Sequence, residues 1–304
     1  LRPVRHRRAA ALCSALRSTV GPALALGALA AVLTWPSHAA SPSRLEFGEV
    51  HSTGTFDPPL SDLDGEAVYS RVLENRFDSY IQLSSLVSGD RAGNDQETRL
   101  RMWFQSYRNG DRLEGEPHAL SKTLVKYTHP FDVRHSGYLI INNDQRPNDQ
   151  FVYLATNRRV RRVNLRGEAV FGTDFSFEDV IPKELGDADY TRLADSTVDG
   201  VPCFVVQAVP RPYRRSEYSK LEIHVEKERA VPLRTFYWDE RGLQVKRLAV
   251  DRAAIERIED IWVPRHMTME HLQLESYTTL RVVEIEPNAV MTRTMFDLRR
   301  LEGH

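Results

Sequence analysis

Three acidic side chains, Asp174, Glu178 and Asp179, crowd the stretch Val170-Phe-Gly-Thr-Asp-Phe-Ser-Phe-Glu-Asp-Val180. Carboxylates this close can hold a hard cation, or work as a general acid and base. They can also cap a turn. With Ser176 as a helix N-cap, Asp179 falls at N3, where its carboxylate reaches back to the cap N–H. Phe175 and Val180 then have the spacing of a hydrophobic staple, and Glu178 and Asp179 lie where a helix dipole favours negative charge. Gly172 frees the backbone to turn just after Phe171. The regular oxygen spacing of a calcium loop is absent. The expectation is therefore structural: a turn that plants Phe171, Phe175 and Phe177 in an apolar interior.

Other chemistry-bearing patterns lead no further. His266-Met-Thr-Met-Glu-His271 is one residue too long for an H-x-x-E-H zinc motif and alternates like a strand. No G-x-S-x-G, S-x-x-K, phosphate-binding glycine loop or C-x-x-C occurs. No catalytic residue, metal or cofactor is expected. Two basic clusters, Arg158, Arg159, Arg161, Arg162 and Arg211-Pro-Tyr-Arg214-Arg215, either dock an acidic partner or anionic headgroups, or are solvated surface.

The chain opens with Arg2, Arg5, Arg7 and Arg8. An apolar run follows over Ala23–Leu33, then Ser37-His-Ala39 before Ala40. This reads as a signal peptide over residues 1–39, since the run is shorter than the roughly 20 residues of a membrane span. Cleavage leaves 36 basic against 42 acidic side chains, and a single cysteine, Cys203. Mild acidity argues against generic nucleic-acid binding. One thiol allows no internal disulfide, so packing alone must stabilise the fold.

Residues 40–60, rich in Ser, Gly and Pro, read as a flexible lead-in, and 61–304 as one domain. A single helix is expected over residues 61–76, with Val68, Val72 and Leu73 on one face and Asp62 or Asp64 as its cap. Beyond it, period-two alternation gives about ten strands with short connections. Leu221, Ile223 and Val225 interleave with Lys220, Glu222, His224 and Glu226, and Ile261 to Met269 forms one run broken only by Arg265. Short connections force antiparallel neighbours. The sum is a long meander with one or two short helices near 176–188, which must curl around a core or a cavity. Its inward face is expected to include Met102, Phe104, Leu221, Ile223, Val225, Phe236, Trp238, Met267 and Met269. These are the candidates for holding an apolar ligand, and Met267→Glu or Met269→Glu is expected to lose that ligand with little unfolding.

Phe151-Val-Tyr-Leu-Ala-Thr-Asn-Arg-Arg-Val-Arg-Arg-Val163 followed by Phe171-Gly-Thr-Asp-Phe-Ser-Phe-Glu-Asp179 resembles the signature of the LolA-like outer-membrane lipoprotein-sorting family. The match departs by Ala155 for proline, Thr173 for serine and Phe177 for tyrosine, and lacks a methionine before Gly172. The front helix and Phe296-Asp-Leu-Arg-Arg-Leu-Glu302 look like the family's two ends, so the resemblance covers roughly residues 62–302. It implies a mainly-β α+β fold, a half-open antiparallel barrel of about eleven strands with helices closing a hydrophobic cavity. It implies a periplasmic carrier of acylated lipoproteins or other lipid cargo, touching membranes only transiently, often with an RND- or MMPL-type inner-membrane exporter. A lipid-sensing regulatory module of the envelope is the second reading. A hydrolase with dispersed catalytic groups is the third.

Overall fold

Period-two alternation becomes a thirteen-stranded antiparallel sheet in the computed structural model. The structure describes residues 62–107, 118–144 and 146–302, so the expected leader, its cleavage point and the lead-in lie outside it. One wing runs through β1 (Ser79–Gly89), β2 (Asp95–Ser106), β3 (Ala119–His129), β4 (Gly137–Asn143), β5 (Asp149–Leu154) and β6 (Arg159–Val163). The other comprises β7 (Ala188–Val198), β8 (Val201–Pro210), β9 (Tyr218–Glu226), β10 (Pro232–Asp239), β11 (Gln244–Val250), β14 (His266–His271) and β15 (Ser276–Pro287). β1 pairs with β15 and joins the wings, while β6 and β7 are left as edges.

The strand count and closure differ from the expectation. The sheet is larger than eleven strands and is not closed. The run from Ile261 to Met269 is two strands, not one. β13 (Ile261–Pro264) pairs with β12 (Ile255–Ile258) in a separate ribbon, and the sheet resumes at His266. Arg265 is the break, and its side chain binds Glu256 across the ribbon.

The front helix α1 spans Gly65–Glu74, and Asp64 caps it by accepting from Ala67 N at 2.8 Å. It buries Val68 and Tyr69 against Phe204, Val206, Ile223 and Val225 of β8 and β9. The C-terminal helix α2 (Leu298–Glu302) lies on the other wing, where Leu301 and Phe296 pack on Leu124, Leu139 and Tyr153. Val125, Tyr138 and Ile140 alternate with those residues, and so face the opposite side of β3 and β4.

That opposite, inner side is not hollow. Val170, Phe175 and Phe177, from the segment 164–187 linking β6 to β7, join Leu86, Leu100, Val125, Tyr127, Tyr138, Ile140, Tyr237 and Met269 in the largest core cluster. An open sheet of this width has an apolar concave face that something must cover. The linking segment covers it from within.

Candidate functional site

The acidic stretch is a plug with three tethers. Phe171 and Gly172 both take left-handed backbone, with φ 47° and 78°, and Val170 N donates to Phe175 O at 2.8 Å across the tight turn they make. Phe171 then lies 4.3 Å, centroid to centroid, from Tyr127, and Phe177 meets Tyr138 edge-on. Asp174 accepts from Ser276 and Thr278 hydroxyls on β15. Glu178 accepts from the Ser216 hydroxyl and Glu217 N just before β9. Asp179 accepts from Ser176 N at 2.8 Å, from the Tyr218 hydroxyl at 2.8 Å and from Lys246 Nζ at 2.8 Å.

The reciprocal cap between Ser176 and Asp179 forms as the spacing predicts, with Asp179 N donating to Ser176 Oγ at 3.3 Å. It closes a turn over residues 176–180, however, and the short helix expected nearby is a single 3-10 turn further on, Leu185–Asp187. Pro182 lies between the two, and a proline stops a helix there. Asp179 also does more than cap. Its side chain is 2 % exposed and that of Lys246 9 %, so the two charges depend on each other.

Beside the plug, between α1, the residues around Ile181–Asp187 and the two sheet edges, lies a cavity. It encloses about 930 Å³ of space between atoms, counted out to its solvent mouth. Its apolar wall includes Leu221, Ile223, Ala208, Ala188 and Ile181. Tyr69, Tyr190, Tyr213, Tyr218 and Tyr237 add ring surface, with Tyr69 stacked on Tyr190 at 4.4 Å. Arg146, Arg166, Lys183 and Arg214 stand among the lining residues with Glu178 and Asp187. Each cation has a protein partner: Arg214 pairs with Asp187, Arg146 with Asp149, Arg166 donates to the carbonyls of Arg214 and Arg215, and Lys183 to that of Glu178. The wall thus joins apolar and aromatic side chains to charged ones, a lining suited to an amphiphile.

Of the nine expected ligand-facing residues, Leu221 and Ile223 line this cavity. Val225 lies one position further, sealed beneath α1. Met269 and Met102 pack in the plugged centre, and Phe104 stacks on Tyr80 beside them at 5.0 Å. Met267 sits at the far end of the same face, registered with Leu280 and Val250. Phe236 and Trp238 correct the expectation. They alternate with Tyr237, so they face the other side, registered with Glu222 and Lys220. A one-residue bulge in β10 near Trp238 gave no warning in the sequence. Arg214 lines the cavity, Arg215 carries the left-handed turn after it, and Arg162 binds Asp149. Arg158, Arg159 and Arg161 lie far along the β6 edge, exposed. His266 bonds to Asp251 and His271 caps Leu274 N, so the two histidines do not converge. Among the described residues no cluster of three or more His, Cys, Asp or Glu is placed to hold a metal.

Sequence reasoning missed the tyrosines. They come from α1, β7, β9, β10 and the 212–214 turn, and no short-range spacing links them. Burial raises the phenol pKa of Tyr69, Tyr218 and Tyr237, with Asp187 adding to the rise at Tyr69 and Asp179 at the other two. Burial alone pushes Tyr80 up to about 12. The native state therefore keeps protons that the unfolded chain releases near pH 10. Stability from this source is whole below about pH 10 and is lost as pH rises through the folded values. Alkaline titration should show these phenols ionising together with loss of near-UV circular dichroism. Free ionisation near pH 10 with the fold intact would contradict the burial.

An unclosed antiparallel sheet curled over a filling, with a front helix on one wing and a short C-terminal helix on the other, is a LolA-like fold. A putative outer membrane lipoprotein-sorting protein domain from Vibrio parahaemolyticus superposes with TM-score 0.69 at 20 % identity, over 78 % of this chain and 98 % of that one. A DUF1329 family protein from Desulfovibrio piger does so with the same score, identity and coverage. A LolA superfamily protein from Nitrosomonas europaea follows with TM-score 0.61 at 15 % identity, over 77 % and 98 %. The model of DUF1329, a family of proteins of unknown function, matches residues 61–165. The chain belongs to a family, described as uncharacterized protein, whose model matches residues 119–303. No curated protein matches it.

Proposed function

We propose that this chain is a periplasmic carrier that shelters acyl chains of a lipid or lipoprotein and passes them towards the outer membrane, together with an RND-type inner-membrane exporter. The observation that carries this reading is the cavity beside α1, whose lining joins Leu221 and Ile223 to tyrosine rings and to charged side chains. Each methylene withdrawn from water there stabilises the complex by about 0.8 kcal/mol. A single acyl chain thus binds firmly without any catalytic group. The described names of the Vibrio and Nitrosomonas relatives point the same way. No described helix is long and apolar enough to cross a membrane, which fits a carrier that visits membranes by its surface. The role is non-catalytic: binding and release are the whole activity. Mass spectrometry of lipids extracted from the purified protein tests it, with acyl-bearing lipid at near-stoichiometric amounts expected. Protein that carries no lipid and binds no fluorescent fatty-acyl probe would end the reading.

A further inference from the structure

We propose that the end of the sheet formed by the β3–β4 loop and the β5–β6 turn docks on an anionic lipid bilayer, with Phe131 entering the apolar layer and nearby arginines meeting phosphates. Phe131 is 90 % exposed, in a loop whose next residues, from Val133 to Ser136, are bonded back to the sheet. His135 N donates to Tyr127 O at 2.9 Å and Ser136 N to Val133 O at 2.9 Å. Ala155 N donates to Ser136 Oγ at 3.0 Å, which ties the loop to the β5–β6 turn. Leu154, at the start of that turn, is 38 % exposed. Arg134, Arg158, Arg159 and Arg161 are exposed around these two segments, and no carboxylate pairs with any of them among the described residues. Asp132 is the one acid within residues 130–136 and 154–161.

A lone exposed hydrophobe is ordinary on a protein surface. Here the aromatic stands at a loop tip close to arginines with no carboxylate partner among the described residues, although most other described arginines are paired. Aromatic anchors with basic residues at the same level are what an anionic membrane surface attracts. An acidic peptide would also answer the charge. However, a ring 90 % exposed at a loop tip is better received by a fluid apolar layer than by a peptide that answers the charge alone. This inference does not rest on the carrier reading, because it uses none of the cavity residues.

Vesicle flotation of the full chain tests it, with phosphatidylglycerol–phosphatidylcholine vesicles against phosphatidylcholine alone. Two variants are compared with the parent, Phe131→Ser and the triple Arg158→Ala/Arg159→Ala/Arg161→Ala. Any contribution from residues outside the described ones is common to all three proteins. Melting temperature and acyl-probe binding should match the parent in both variants, since the altered side chains are exposed. Phe131→Ser is expected to weaken binding to anionic vesicles about tenfold. The triple variant should weaken it by about a hundredfold, at about fivefold per arginine, and flatten its salt dependence. Parent binding that is equal on neutral vesicles, or unchanged in either variant, overturns the proposal. So does competition by polyglutamate together with an unaffected Phe131→Ser, which would make the surface a site for acidic protein.

Discussion

Asp179→Ala should destabilise the protein by about 3–5 kcal/mol, because it leaves Lys246 buried and charged with no counter-ion. Loss of the reciprocal turn bond to Ser176 alone would cost only about 0.5–2 kcal/mol. Denaturant unfolding distinguishes the two values, and for a chain of this size the larger one lowers the melting temperature by roughly 10 °C. The double variant Asp179→Ala/Lys246→Met should recover a large part of the loss, since a buried pair can often be replaced by apolar groups at little cost. A small single effect with no recovery would show that the capping bond was the whole role. Stoichiometric metal, bound by the parent and lost on the substitution, would overturn the structural account of the acidic stretch altogether.

Met269→Glu and Leu221→Glu should part company just as sharply. Met269 is fully buried against the plug, so an added carboxylate has neither water nor partner, and the variant is expected to lose more than about 4 kcal/mol or fail to fold. Leu221 borders open space in the cavity, where a carboxylate can reach the wet side. Its variant should remain folded and bind an acyl probe at least tenfold more weakly. Circular dichroism with probe titration separates them. Normal probe binding by a folded Leu221→Glu protein would remove the cavity from the account of cargo.

The contrast between these two residues shows how far the sequence could be followed. Alternation in Lys220–Glu226 correctly placed Leu221, Ile223 and Val225 on one face, because that pattern depends only on the pleat. It could not say what covers the face. α1 seals Val225, the plug seals Met269, and the space left between them falls at Leu221 and Ile223. Phe236 and Trp238 went astray for a related reason. Both faces of β10 carry large side chains, and Phe236 packs against His224 on the side away from Tyr237. The acidic stretch was legible because its partners were local. Ser176 and Asp179 are three residues apart, while Lys246 and Tyr218 come from distant strands and leave no local trace.

The pairing of β1 with β15 governs how this chain must be assembled. Tyr80 registers with Pro287 and Gly89 with Tyr277, so the central seam joins residues roughly two hundred positions apart. Each wing can form by successive hairpins, which close quickly, but the seam pairs segments of the greatest sequence separation. A chain synthesised from its N-terminus therefore has β1 made long before its second neighbour exists. Until β15 arrives, the first wing has an open edge of eleven residues, together with an inner face that the plug alone covers. That interval is when aggregation competes with folding. Truncating the last strand would make it permanent, so the C-terminal end, remote from the cavity wall, decides whether the protein folds at all.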